Sequence, residues 1–332
     1  MTRSVGFVSH SSFLEHDAGP GHPERPERLQ AIEDALRQSG AWARLRHLGP
    51  EPVPRDVLEL VHTASFVSSI ERACREGPTP LDPDTLASPG SWDAALRAAG
   101  AAALAVDQVV DGGCSAVFCA VRPPGHHAYP ETAMGFCLFN NVAVGVRYAQ
   151  RRRGVGRVLI VDWDVHHGNG TQTIFYDDPS VLYFSVHQHP FYPGTGFPQE
   201  RGHGPGTSAT INVPLAAGSG DGEAEEAFRN ILCPAADAFR PELVMISAGF
   251  DGHRDDPLGG LDLTEAGYAS MTRIVRDLAD RHCRGRIVSM LEGGYALPAL
   301  GRSVEAHIGE LIDHGVVSRV TWDTRFPSEA GG

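Results

Sequence analysis

Residues 162–170 read DWDVHHGNG, and in extended backbone the side chains of Asp162, Asp164 and His166 share one face because residues i and i+2 do. A carboxylate and an imidazole two positions apart suit a zinc-type divalent ion. Asp251, in SAGFDGHRDDPLGG (residues 247–260), supplies a second carboxylate from elsewhere in the chain. Asp164, His166 and Asp251 then form an Asp2His set, whose three ligands leave positions open for water and a substrate oxygen, as catalytic sites require. Alone, an Asp-x-His at a strand end is only a turn feature. The loop RPPGHHA (residues 122–128) adds His126 and His127, presented side by side by Pro123, Pro124 and Gly125. Near a metal such a pair can divide roles, one taking a proton from bound water and the other acting as an electrostatic partner, with Asp162 and Asn169 as candidate acceptors. Tyr295, in LEGGY, follows Gly293 and Gly294, which allow close backbone approach, and its hydroxyl could donate to an oxyanion.

The elements that must position these groups are short apolar runs alternating with amphipathic stretches. Runs are expected at Val5–Ser9, Ala116–Val121, Val158–Val161, Val181–Val186, Leu243–Ser247 and Ile287–Leu291. Helices are expected after Pro26, from about Asn141, near Glu223–Phe239, near Thr264–His282 and after Pro298. Strands apolar throughout and separated by helices predict an α/β fold with a central parallel sheet covered on both faces. The histidine pair, the Asp/His triplet, Asp251 and Tyr295 each fall just past the carboxyl end of a predicted strand, where open parallel sheets place ligand crevices. No repeat, linker or low-complexity segment divides the chain, so residues 1–332 are read as one domain.

Composition removes several alternatives. The 28 basic residues are all arginine, against 41 acidic ones, giving a formal charge of −13. Without lysine there is no Schiff-base chemistry, PLP attachment or P-loop clamp. The acidic balance argues against a nucleic-acid surface and would draw cationic substrates toward a crevice. The 38 glycines and 24 prolines make about a fifth of the chain, against roughly 12% in average usage, so long shaped loops are expected. Six cysteines without a CxxC pair read as reduced. With no apolar leader or spanning segment, a cytoplasmic protein with no membrane partner is expected. There is no G-x-S-x-G elbow, and GHGPGT at 202–207 lacks the strand-then-helix setting of a dinucleotide site.

Taken in order, RPPGHHA, GFCLFNNVA, VDWDVHHGNGTQ, YPGTG, SAGFDGHRDDPLGG and LEGGY resemble the zinc-dependent histone deacetylase superfamily, from about residue 21 to 295. Asn169 makes the chain similar to class II deacetylases and their bacterial homologues, since class I members usually carry aspartate there. The resemblance implies a single-domain arginase/deacetylase fold and removal of acetyl or short acyl groups from N-acyl-lysine or related acylated amines, with acetylpolyamines as the alternative substrate. A catalytically silent acyl-lysine binding module and a two-manganese ureohydrolase are the competitors; the first would lack a ligand, the base or the tyrosine, and the second needs further aspartates.

Carried over by motif, Asp164, His166 and Asp251 would bind one Zn2+, His127 would be the general base and then acid, and His126, held by Asp162, its electrostatic partner. Asn169 would orient His127, and Tyr295 would donate to the oxyanion. Structural K+ or Na+ would be held by Asp162, Asp164, His166, Ser185 and Val186, and at a second site by Phe175, Asp178 and Val181. In the substrate channel, Phe136 would form one wall with the Gly135 carbonyl available to the amide, Tyr192 the opposite wall, Leu258 would stand at a gatekeeper position, and Gly293 would adjoin the substrate. Arg28, in HPERPER, matches an arginine near an internal acetate channel; a surface salt bridge is the other reading. The partner implied is an acylated lysine peptide or small acylated amine, and a homo-oligomer is among the states left open.

Overall fold

The computed structural model describes residues 4–312. The strands in chain order are β1 (Val5–Val8), β2 (Arg46–Leu48), β3 (Thr79–Pro80), β4 (Leu86–Ala87), β5 (Ala116–Cys119), β6 (Val158–Asp162), β7 (Val181–Gln188), β8 (Thr210–Leu215), β9 (Leu243–Ala248) and β10 (Ile287–Leu291). The helices are α1 (Glu27–Gln38), α2 (Arg55–Leu58), α3 (Ala64–Glu76), α4 (Ser91–Val110), α5 (Asn141–Arg153), α6 (Asn169–Phe175), α7 (Asp221–Ala227), α8 (Cys233–Phe239), α9 (Glu265–His282) and α10 (Leu297–Ile312). Eight strands form one parallel sheet in the order β2-β1-β5-β10-β9-β6-β7-β8, and β3 and β4 make a small antiparallel ribbon. The sheet is thus the parallel one that the apolar runs predict.

Helices cover both faces, and adjacent residues of β5 show it. Phe118 packs its ring 5.6 Å from His307 of α10, while Cys119 next to it donates its thiol to the carbonyl of Ala101 in α4 at 3.6 Å. Successive side chains of a strand point to opposite faces, so α10 and α4 lie on opposite sides. α1 and α9 pack with α10, and α5 packs with α4. The alanine-rich α4 can approach closely: a Cβ at Gly145 of α5 would lie 3.0 Å from the Ala102 methyl and 2.7 Å from Met245 Cε.

The sheet carries two strands that the apolar runs do not predict, β2 and β8, one at each edge. β2 is largely exposed, and β8 holds Asn212 and Pro214, so neither needs a continuous apolar sequence. The stretch expected as one helix at Glu223–Phe239 is α7 and α8 joined by a π-helical turn at Phe228–Leu232. The helices α3 and α4 are likewise additions to the elements expected from sequence. Among the described residues no helix is long and apolar enough to cross a membrane.

What places the site is strand order. β5, β10, β9 and β6 are consecutive neighbours in the sheet, aligned so that Cys119 pairs with Met290, Met290 with Ser247 and Ser247 with Asp162. The loops leaving these four carboxyl ends carry His126/His127, Tyr295, Asp251 and Asp164/His166, in that order across the sheet. With strands about 4.8 Å apart, four segments distant in sequence converge on one crevice.

Candidate active site and metal centre

Asp164, His166 and Asp251 each bring one potential ligand atom within 4.8 Å of the others, and among the described residues theirs is the group that could hold a metal ion. His166 Nδ1 lies 3.1 Å from Asp164 Oδ1 and 3.2 Å from Asp251 Oδ2. The backbone fixes the carboxylates from behind: Val165 N–H donates to Asp251 Oδ1 at 3.0 Å and Gly293 N–H to Asp164 Oδ2 at 2.8 Å. Asp251 Oδ2 is buried and makes no aligned hydrogen bond, its approach to His166 Nδ1 being an ion-pair contact alone, and a buried carboxylate oxygen left so is costly unless a cation takes it. Burial, with Asp164 alongside, pushes the Asp251 carboxyl up to about 7. The cradle also excludes side chains, since a Cβ at Gly293 would fall 2.0 Å from Asp251 Oδ2 and one at Gly249 2.1 Å from Asp164 Oδ2. Two carboxylates, one imidazole and an orphaned oxygen fit a divalent cation.

The tandem histidines are pushed in opposite directions. His126 Nδ1 faces Asp162 Oδ2 at 3.2 Å, and its Nε2 is 3.8 Å from Asp164 Oδ1. Burial disfavours its charged form, but Asp164 and Asp162 outweigh that and hold it at about 10, so it stays protonated at neutral pH. Asp162 Oδ2 also accepts the Tyr183 hydroxyl at 3.0 Å. For His127, burial and then the charges of His126 and His166 push the pKa well below the usual value, leaving a neutral ring. Its Nδ1 lies 2.7 Å from Asn169 Oδ1. The Asn169 amide nitrogen donates to the Tyr129 hydroxyl at 3.0 Å and to Met134 Sδ at 3.4 Å, which fixes the amide oxygen toward His127. His127 Nδ1 must therefore carry the proton, leaving Nε2 with a lone pair. Two titratable groups driven apart in this way mark an acid/base site.

His126, His127, His166, Gly293 and Tyr295 all line one cavity of about 420 Å³. Its walls are mostly apolar. Phe136 sits edge-on to Tyr295, with centroids 5.9 Å apart, and Phe191 stacks on His166 at 5.3 Å and 16°. Phe136 has a φ of 67°, a left-handed conformation that a bulky side chain rarely adopts. Its N–H is held by Thr85 Oγ1 at 2.9 Å. Gly135 before it packs against His127, where a Cβ would lie 2.5 Å from the ring. Tyr192 stands edge-on to His127 at 5.2 Å, and Leu258 and Asp84 also line the cavity.

The family model of the histone deacetylase domain matches residues 22–311. The chain belongs to the histone deacetylase family. A probable deacetylase of Archaeoglobus fulgidus is 44% identical over 296 residues, covering 88% of this chain and 82% of that one. A histone deacetylase-like amidohydrolase of Pseudomonas aeruginosa is 38% identical over 314 residues, covering 89% and 83%. The crystal structure of the HDA15 HD domain matches with a TM-score of 0.87 at 41% identity, covering 92% of this chain and 90% of that one.

In this deacetylase-family chain the remaining sequence-derived residues fall as follows. Ser185 is the β7 register partner of Asp162, with Val186 after it, and Ser185 Oγ lies 2.9 Å from His187 Nδ1. Phe175, Asp178 and Val181 meet at the turn from α6 to β7, where Asp178 N–H donates to Phe175 O and Val181 N–H to Asp178 O. Both Asp178 carboxylate oxygens are engaged, one by Ser180 and the other by Arg147 at 2.5 Å. Arg28 is not a surface ion pair. It is fully buried, donates to Gly294 O at 2.7 Å and to Glu24 Oε1 at 3.1 Å, and its guanidinium lies 4.9 Å from the Tyr295 ring centroid.

Sequence reasoning missed Phe191, which shares with Tyr192 the wall assigned to Tyr192 alone; Tyr192 is 39% exposed. It also missed Tyr129 and Met134 behind Asn169, Asp84 on the cavity wall, and Asp256, which accepts the Tyr295 N–H at 2.6 Å. The FY pair before PGTG was the one available signal for Phe191.

Proposed function

We propose that the chain acts as a single catalytic domain and is a zinc-dependent amidohydrolase that removes acetyl or a similar short acyl group from N-acyl-lysine or a related acylated amine. The observation that carries this reading is a pair of adjacent histidines, one ring against Asp162 and the other against Asn169, lining one cavity next to an Asp-His-Asp group. Asp164, His166 and Asp251 would hold the zinc, which when bound supplies Lewis acidity to the scissile carbonyl and lowers the pKa of water.

The chain's own residues do the rest. Phe136, Phe191 and Tyr192 clasp the aliphatic stem of the acylated amine and keep bulk water out. His127 Nε2 takes the proton of the attacking water, while Asn169 holds the ring by Nδ1. His126, kept charged by Asp162, stabilises the negative charge that builds up beside it. Tyr295 donates its hydroxyl to the carbonyl oxygen as that oxygen becomes an oxyanion. His127 then passes its proton to the leaving nitrogen, and the amine and the carboxylic acid depart. Asp162, Ser185 and Val186, and separately Phe175, Asp178 and Val181, are the proposed seats of structural potassium or sodium.

The test is a panel of acetyl-lysine peptides, acetylputrescine and acetylspermidine, given to purified protein with one zinc per chain and read by release of acetate or amine. Turnover on the panel, with a loss of about 10²-fold or more in kcat in His127→Ala, is expected. No release from any member sinks the reading. The ratio of peptide to polyamine turnover assigns the amine: Leu258 in the cavity wall offers no charge for a distal ammonium, whereas Asp84 on the same wall brings a carboxyl group.

A further inference from the structure

Glu292 is a fully buried carboxylate to which the reaction above gives no task. It follows β10, three residues before Tyr295, yet its side chain reaches the loop that leaves β5. Its Oε2 accepts the backbone N–H of Gly125 at 2.6 Å and that of His126 at 3.2 Å. Its Oε1 accepts the hydroxyl of Ser247, in β9, at 3.0 Å.

The RPPGHHA loop has no regular secondary structure, so its polar backbone groups need partners from elsewhere. Its carbonyls are held from the far side: Pro123 O by the Asn141 side chain at 3.1 Å, His126 O by Thr171 N–H at 3.1 Å, and Ala128 O by the Asn140 side chain at 3.2 Å. Pro123 and Pro124 have no N–H to give. The amides of Gly125 and His126 thus anchor the loop's backbone toward the sheet, beside the His126 ring on Asp162, and Glu292 receives both.

We propose that Glu292 is the positioning residue of the tandem histidines: it clamps the histidine loop to the strand end that carries Tyr295, so that the proton-transferring ring and the oxyanion donor keep a fixed separation. The proposal rests on the hydrolase reading for its kinetic consequence but not for its structural one. Without the carboxylate two buried N–H groups lose their acceptor, and the peptide planes on either side of Gly125 are released. Rotation of either plane carries His126 away from Asp162 and His127 away from the reacting water. A misplacement of about 1 Å in such a group costs on the order of 10²-fold in rate. Glutamine has the same shape: its oxygen can accept both amides while its nitrogen donates to Ser247 Oγ, so Glu292→Gln should keep the clamp and Glu292→Ala should lose it.

The experiment combines amide hydrogen exchange at Gly125 and His126, in protein labelled with 15N-glycine and 15N-histidine, with kcat and KM for an acetyl-lysine peptide. In Glu292→Ala, exchange at those two amides should accelerate at least tenfold, and kcat should fall about 100-fold with KM within threefold. In Glu292→Gln both should stay within about fivefold of wild type. Retained protection at the two amides in Glu292→Ala overturns the proposal, as does a Gln variant as impaired as the Ala variant. If Glu292→Ala does not fold, Glu292→Asp, whose carboxylate is one methylene shorter and draws back from both amides, should speed exchange at the same two amides, and unchanged exchange there overturns the proposal equally. Exchange is read whether or not the protein turns anything over, so an inactive wild type would count against the hydrolase reading and leave the clamp to be decided by exchange.

Discussion

Replacing Gly293 with alanine adds one methyl group to the metal cradle without removing any ligand. Gly293 does not lie at positive φ, so the consequence is one of space. The new Cβ would lie 2.0 Å from Asp251 Oδ2 and 2.7 Å from Asp164 Oδ2, whereas real Cβ atoms essentially never come closer than 3.0 Å. Asp251 Oδ2 must therefore move by about 1 Å, and it is the oxygen that no hydrogen bond holds. Working metal sites hold their ligand distances to within about 0.2 Å, so the displacement exceeds the tolerance about fivefold. The side chain cannot relax easily, because Asp251 Oδ1 is tied to Val165 N–H and the residue is fully buried. Zinc affinity should fall by at least the roughly 10–100-fold typical of losing a residue behind the ligands, about 1.4–2.7 kcal/mol. The assay is competition with a chelator of known affinity, with thermal unfolding of the metal-free proteins run alongside to show that the fold survives. A folded Gly293→Ala protein that binds one zinc with wild-type affinity would refute the assignment of Asp164 and Asp251 as ligands.

Tyr295→Phe keeps the ring against Phe136 and removes only the hydroxyl; kcat should drop about 10²–10³-fold with zinc affinity unchanged, and near-wild-type turnover would remove Tyr295 from the chemistry. His62 is buried with Nδ1 donating to Tyr129 O and Nε2 accepting from Asn140 N–H, so its ring is neutral, and burial, against the backbone hydrogen bonds, lowers its pKa from 6.5 to about 4. Its folded pKa is depressed, so the unfolded chain binds the proton first and stability is lost as pH falls from 6.5 to about 4, by roughly 3 kcal/mol. Urea melts of the metal-free protein across that range should show a steeper decline in wild type than in His62→Gln, and parallel declines would contradict the assignment. Gly309 sits inside α10, and a methyl group added there would have nothing within 4 Å, so Gly309→Ala should raise stability by about 0.5–1 kcal/mol, read as a higher Tm with unchanged zinc binding.

Much of the site was legible in the chain because chemistry in a parallel sheet collects at strand ends, and a strand end is a local signal. VLIV before Asp162 and VMIS before the loop of Asp251 announce buried strands, and the polar residues after them have nowhere to point but the crevice. Asp162 and Asn169 were legible as the histidines' acceptors for the same reason. The edge strands β2 and β8 were not, since an edge strand can be short or polar. Phe191 and Tyr192 are adjacent aromatics, and only the path of the loop shows that the first stacks on His166 while the second stands partly exposed. Glu292 carries no local signal, because its partners lie 167, 166 and 45 residues away.

By itself the sequence determined the inventory: an Asp2His donor set, two tandem histidines, a tyrosine after two glycines, and no lysine to offer amine chemistry. It determined the layers too, through apolar runs that can be buried only in a covered parallel sheet. The tertiary structure decided which strands are neighbours, and hence that β5, β10, β9 and β6 present their loops to one another. It also decided the protonation of two residues that are identical in type and adjacent in the chain. His126 faces Asp162 and Asp164 while His127 faces a neutral amide and the charged ring of His126, and a pKa is set by burial and by the charges within a few ångströms, which distant segments supply.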